Sequence, residues 1–177
     1  MIGVLASGEG SNLQALLDAG LPVCAVASNR RDARALDRAR AAGVPIRVFP
    51  LEEHPSRDDR DAAMAAWLAG RGVKLVVCAG YMHLLTDTFL DRFPQRIVNV
   101  HPSLLPDFPG ARAIDDALAA GVETTGVTVH LVDAGLDTGP VIRQEPVPVE
   151  PAESLAERIH AVEHRILPEV VGELCAH

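Results

Sequence analysis

The sequence predicts an α/β protein: a Rossmann-like, mostly parallel sheet flanked by helices, with an antiparallel or mixed extension towards the C-terminus. Three observations point there. Up to about residue 100, short apolar runs alternate with longer amphipathic segments, as in parallel strands joined by crossover helices. Beyond about residue 124, two extended segments follow one another, joined by the Asp/Gly-rich stretch 133–140, which reads as a hairpin with a functional loop. And 177 residues, 48% of them apolar and 23% charged, are enough for one core without disulfides or metals.

The elements follow in order. Ile2 to Ala6 reads as a first strand, and a glycine turn leads into a helix from Ser11 to Asp18. Val23 to Ser28 is the second strand. Arg31 to Ala42 is a helix closed by Gly43, and Ile46 to Phe49 a short third strand. Arg57 to Ala69 has Ala62, Ala63, Ala66 and Leu68 spaced for one helical face and ends at Gly70. Val73 to Ala79 is a buried strand, Gly80 to Phe93 a glycine-led loop with a short helix, and Arg96 to Val100 a strand running into His101-Pro102. Thr125 to Val132 and Val141 to Val149 form the extended pair. A last helix runs from Ser154 to about Leu167, where Pro168 is expected to interrupt it.

Charge and composition exclude several classes of function. Sixteen basic against 24 acidic residues give a net charge of −8, and aromatics are only 3%. A nucleic-acid binder needs a basic face and stacking aromatics, so a small-molecule partner is expected instead. Lys74 is the only lysine, a bias that fits either GC-rich coding or bidentate anion contacts. Cys24, Cys78 and Cys175 are far apart and read as reduced core thiols. Neither a signal peptide nor an apolar run long enough to span a membrane is legible, so a cytoplasmic location is expected.

Three segments carry chemistry. Ser7-Gly8-Glu9-Gly10-Ser11-Asn12-Leu13 lies between the first strand and helix, where glycines and helix N-terminal amides suit a phosphate. Leu13 stands where a dinucleotide fingerprint has its third glycine, and the second strand ends Ala27-Ser28-Asn29-Arg30 without the expected acid. A monophosphate therefore fits better than NAD; the bland reading is a Ser-capped helix. Asn99-Val100-His101-Pro102-Ser103-Leu104-Leu105-Pro106 closes a buried strand. Alternation puts Asn99 and His101 on one side, an amide donor beside an imidazole, which suits acyl or formyl transfer as well as a structural hydrogen bond. The third segment runs from Thr128 to Pro140. Its Asp133 and Asp137 can orient a histidine or a water, or simply make turns. With His101 and His130 they also allow a two-histidine, one-carboxylate metal site, which no short His-x-His spacing supports. His54, His160, His164 and His177 read as surface residues.

In this order and spacing, the three segments resemble the folate-dependent glycinamide ribonucleotide formyltransferases of purine synthesis, from Leu5 to about Pro168. The most specific likeness is Asn99-x-His101-Pro-Ser-Leu-Leu-Pro106 followed by Leu136-Asp137-x-Gly139-Pro140. The resemblance implies the formyltransferase fold in a single domain, 1–177, with a phosphate-binding half over about 1–98 and a catalytic, folate-binding half over about 99–177. It implies Asn99, His101 and Asp137 as the catalytic trio. Gly10, Ser11 and Asn12 would take the substrate phosphate, and His160 and Glu163 would face glycinamide ribonucleotide. Met82, His83, Leu84 and Leu85, with Asn99, Asp133, Ala134, Gly135, Leu136 and Asp137, would frame 10-formyltetrahydrofolate, and Arg57 would meet its glutamate tail. Relatives usually carry arginine where this chain has His83, and glutamine where it has His160.

The implied reaction is attack of the ribonucleotide amine on the formyl carbon, with 10-formyltetrahydrofolate as co-substrate and no call for a metal. Asn99 and His101 would stabilise the oxyanion, and Asp137 would orient the imidazole. Local positive potential at the site, from Arg57 and helix amides, would offset the acidic balance. The chain's length disfavours the tRNA-formylating and formyltetrahydrofolate-hydrolysing relatives, which carry an added domain. A formyltransferase acting on an amino sugar nucleotide, a non-catalytic folate or nucleotide-sugar binder, and a homodimeric assembly are left open.

Overall fold

A computed structural model describes residues Met1–His177 as two compact units, Met1–Val98 and Asn99–His177. In the first unit, β1 (Ile2–Leu5), α1 (Ser11–Asp18), β2 (Val23–Ser28), α2 (Arg34–Ala41), β3 (Ile46–Val48), α3 (Arg57–Gly70), β4 (Leu75–Cys78) and α4 (Asp87–Leu90) follow in order. β1 pairs in parallel with both β2 and β4, and β2 with β3, giving the order β3-β2-β1-β4. Every residue of β1 and β4 is buried, the pattern of parallel strands covered on both faces. This order makes β1 and β4 the neighbours where chain direction around the sheet reverses, and open α/β sheets bind ligands beyond the strand ends at such a point.

Local chemistry sets the helix boundaries. α1 begins at Gly10, which adopts φ 75° and offers no side-chain cap, so the Ser-capped reading of this helix is not what forms. A Cβ at Gly10 would lie 2.6 Å from the Ala35 Cα, so this close approach of loop and α2 requires glycine. α2 starts at Arg34, three residues later than its sequence suggests, because Arg30 and Asp32 pair locally and the turn at Arg31–Asp32 precedes it. α3 opens at Ser56, whose Oγ accepts from the Asp59 backbone N–H and donates to the Asp59 carboxylate. Gly3 sits beneath that helix, where a Cβ would come within 3.0 Å of Leu68 and Val73.

β5 (Ile97–His101) carries the chain into the second unit, which continues through α5 (Ala113–Ala120), β6 (Thr124–Leu131), β7 (Val141–Pro148) and α6 (Leu155–Ala176). β6 and β7 form the antiparallel pair, with a register shift between Val129 and His130. One element is added to those expected, and one expectation needs correction. α5 is not among the elements read from the sequence: Ala113–Ala120 is short and alanine-rich and buries only Ala113 and Ala117. α6 is not interrupted at Pro168 but runs on to Ala176. A proline inside a helix costs about 3 kcal/mol, whereas burying a valine side chain recovers about 1.5–3 kcal/mol. Val170 and Val171, both at 0% exposure beyond the proline, together offset it.

The cysteines also differ from a uniform core set, since Cys78 is buried, Cys24 half-buried and Cys175 exposed, all unpaired. Burial pushes the Cys78 thiol up to about 12. No helix is long and apolar enough to cross a membrane.

Candidate active site

The first unit gathers one group of the expected residues. Gly10, Ser11 and Asn12 form the turn and first residues of α1, and α2 buttresses this loop. Ala35 N–H donates to the Gly8 carbonyl (3.0 Å), Arg38 Nε donates to the Glu9 carbonyl (2.7 Å), and Arg34 pairs with the Glu9 carboxylate (3.2 Å). The pairing with Arg34 offsets the one negative charge in a loop suited to an anion. Beyond β4 lies the Met82–Leu85 segment, with Met82 and Leu84 exposed and Leu85 buried. The loops after β1 and β4 are tied together: Ser7 N–H donates to the Gly80 carbonyl (3.1 Å), and Met82 N–H donates to Ser7 Oγ (3.0 Å). Arg57 Nη2 donates to the Leu84 carbonyl (2.6 Å), so this arginine holds the segment while remaining exposed.

The second unit gathers the other group. Asn99 and His101 stand two residues apart on β5, and Asp137 on the β6–β7 loop. His101 is 5% exposed. Its Nε2 lies 2.8 Å from the Phe108 carbonyl, to which it donates, and its Nδ1 lies 3.4 Å from Asp137 Oδ2. Both ring nitrogens thus face acceptors, and only the imidazolium carries donors on both. Gly110 N–H donates to Asp137 Oδ2 (2.8 Å), fixing the carboxylate from the other side.

His130 completes the cluster. Its Nδ1 donates to the Leu131 carbonyl (2.8 Å), so in the neutral ring Nε2 accepts; Asn99 Nδ2 lies 3.2 Å from that nitrogen and Asp137 Oδ1 3.8 Å from it. Burial, opposed by Asp137 and the backbone contact, moves the His130 pKa below its ordinary value and favours this neutral acceptor. Residue type and strand position alone allow only a place for His130 in a metal alternative; its contact with Asn99 joins residues 31 positions apart, and His130 lies at the register shift of the β6–β7 pair. No group of three or more His, Cys, Asp or Glu is placed to hold a metal ion.

The loop carrying Asp137 is shaped by tight backbone geometry. Asp133 Oδ1 accepts from Gly135 N–H (3.0 Å) and Thr138 Oγ1 (2.6 Å), while Asp137 adopts φ 53°, a left-handed conformation more accessible to Asp than to most residues. Ala134 and Leu136 lie on the exposed rim of this loop. The segment after His101 is pinned as well. Thr128 Oγ1 donates to the Ser103 carbonyl (2.7 Å) and accepts from Leu105 N–H (3.1 Å), and Gln144 Nε2 donates to the Leu105 carbonyl (2.8 Å). On α6, His160 Nδ1 lies 2.8 Å from Glu163 Oε2, one turn away; Glu163 is 4% exposed, whereas His160 reaches solvent. The hydrogen bond to Glu163 raises the His160 pKa above its ordinary value.

A strand-end amide and imidazole set against a loop carboxylate define a group-transfer enzyme. The chain belongs to the formyl transferase family, whose model matches residues 1–171. It is 49% identical to the phosphoribosylglycinamide formyltransferase of Mycobacterium tuberculosis (strain ATCC 25618 / H37Rv) over 181 residues, covering 98% of this chain and 84% of the relative. It is 37% identical to the protein of the same name from Bacillus subtilis (strain 168), covering 97% and 92%. Among solved structures, phosphoribosylglycinamide formyltransferase from Streptococcus pneumoniae TIGR4 superposes with a TM-score of 0.93 at 45% identity, over 98% of this chain and 97% of that one. The expected α/β fold, mostly parallel with a mixed extension, is therefore the fold of these enzymes.

Proposed function

We propose that the chain transfers the formyl group of 10-formyltetrahydrofolate to the amine of glycinamide ribonucleotide, and that Asn99, His101 and Asp137 carry the chemistry in one catalytic domain. The observation behind this reading is the convergence of His101 Nδ1, His130 Nε2 and the Gly110 N–H on the Asp137 carboxylate, with Asn99 held by His130. One Asn99 N–H is used by His130, and the amide's second N–H is the donor for the developing oxyanion. His101 supplies positive charge and a proton. Since Nε2 is anchored on Phe108, the proton leaves from the Nδ1 side, beside Asp137. As the amine attacks, the C–O π electrons move onto oxygen. Collapse of that intermediate breaks the bond to the folate nitrogen, which takes a proton as the attacking amine loses one.

The remaining assignments follow the resemblance. Gly10, Ser11 and Asn12 take the ribonucleotide phosphate, with His160 and Glu163 towards the same substrate. Arg57, Met82, His83, Leu84 and Leu85, together with Asn99 and the 133–137 loop, receive the folate. The acidic balance of −8 supports small-molecule substrates over nucleic acid, and a cytoplasmic location belongs to the same reading. Following tetrahydrofolate release with and without glycinamide ribonucleotide tests it. Release that depends on the ribonucleotide is expected; release without it makes the chain a hydrolase, and none with either makes it a binder.

A further inference from the structure

Arg60 and Asp61 are charged, 0% exposed, and have no part in the chemistry above. Arg60 Nε donates to Asp61 Oδ1 (3.0 Å), Nη2 sits 3.0 Å from the same oxygen without making a hydrogen bond, and Asp61 Oδ2 accepts from Thr86 N–H (2.8 Å). The remaining guanidinium nitrogen, Nη1, lies 2.6 Å from His83 Nδ1. Arginine has donors only, so His83 must offer a lone pair there, and a neutral imidazole has one to offer. Nε2 then carries the hydrogen. It faces the Asn29 amide nitrogen at 3.4 Å, also a donor, so with Nδ1 taken by Arg60 this outer contact is not a hydrogen bond; Asn29 Oδ1 accepts from Ser7 Oγ (2.6 Å), which in turn accepts from Met82 N–H.

We propose that His83 is a positioning residue for the Met82–Leu85 segment, fastening it to buried Arg60 only while the imidazole is neutral, so that acid loosens the segment and weakens binding of the formyl donor. This rests on the reading of that segment as part of the folate site. A proton on Nδ1 would set one donor against another 2.6 Å away and place two cations together, leaving a buried guanidinium without its acceptor. The charged and titratable groups around the ring are Arg60, Asp61 and Arg57 from α3 and Tyr81 from its own loop. Burial and the two arginines lower the His83 pKa against the weaker pull of Asp61, in keeping with the neutral form. Arg57 holds the Leu84 carbonyl and Asp61 the Thr86 N–H, so His83 is the one tether in this set that protonation can release.

The test compares the wild-type enzyme with His83→Gln, whose amide oxygen can accept from Arg60 at any pH, and with His83→Leu, which cannot accept. A 5,8-dideaza analogue of the formyl donor, which does not cyclise in acid, serves as the probe between pH 5 and 8. In the wild type, KM for the analogue should rise on the order of tenfold per pH unit below the His83 pKa, with kcat changing less. His83→Gln should remove that rise, and His83→Leu should show a raised KM without it. In the NMR spectrum, the Met82 and Leu84 amides should titrate together with the His83 ring in the wild type. The proposal is overturned if His83→Gln keeps the wild-type KM profile, or if the ring titrates while those amides stay fixed. Absence of formyl transfer by the wild type at pH 8 would instead remove the functional reading, and the amide titration would still decide the tether.

Discussion

His101 is held from both ends, by the Phe108 carbonyl and the Asp137 carboxylate, and the two contacts do different work. The 2.8 Å bond to Phe108 fixes the ring, while the looser 3.4 Å approach of Asp137 leaves Nδ1 able to exchange its proton. Removing a preorganised oxyanion donor typically costs on the order of 100-fold to 1000-fold in turnover. His101→Ala and Asp137→Asn should each lower kcat by at least about 100-fold with KM for both substrates little changed, as steady-state kinetics would record. Wild-type turnover in either variant would remove the catalytic assignment. A separate prediction concerns His160, whose pKa is raised by Glu163. Such a group stabilises the fold fully below its unfolded pKa of about 6.5, and the contribution disappears as pH rises through the folded value. His160→Gln should therefore lower Tm at pH 6 and have little effect at pH 8.5; equal losses at both would mean that charge on His160 is not involved.

At the level of elements, two glycines decide whether the site loops form at all. A Cβ at Gly139 would fall 1.7 Å from the Leu131 carbonyl oxygen, so Gly139→Ala must displace the loop that presents Asp137. This variant should lose turnover nearly as far as Asp137→Asn while its far-ultraviolet circular dichroism stays close to wild type. Gly10→Ala combines a left-handed φ, costing about 1–2 kcal/mol for a residue with a Cβ, with a 2.6 Å clash against α2. It should lower Tm and raise KM for the ribonucleotide, and unchanged values of both would show that α1 and α2 can separate freely there. The strands and α1 were readable because apolar runs and glycine turns are local signals; β2, for instance, spans Val23–Ser28 as its periodicity predicts. α5 and the far half of α6 were not, since burial of Ala113, Ala117, Val170 and Val171 depends on what packs over them.

For the whole molecule, acid stability follows from two histidines. His83 and His130 both have pKa values lowered in the fold, chiefly by burial. As pH falls below about 6.5 the unfolded chain takes up protons first, so stability present above that pH is lost as it drops through the folded pKa values. Urea denaturation at pH 8 and pH 5 should show this loss, and it should shrink in His83→Gln. The fold class and the identity of Asn99, His101 and Asp137 as a chemical set were available from residue types and their spacing, because strand alternation and turn-forming glycines act over a few residues. The pairing of His130 with Asn99, the grip of Phe108 and Gly110 on the cluster, and the buried Arg60–His83 contact were decided by tertiary structure alone. Most of these join residues more than twenty positions apart, the Phe108 contact closes a seven-residue loop, and whether a nitrogen there donates or accepts depends on which partner the fold brings into hydrogen-bond reach.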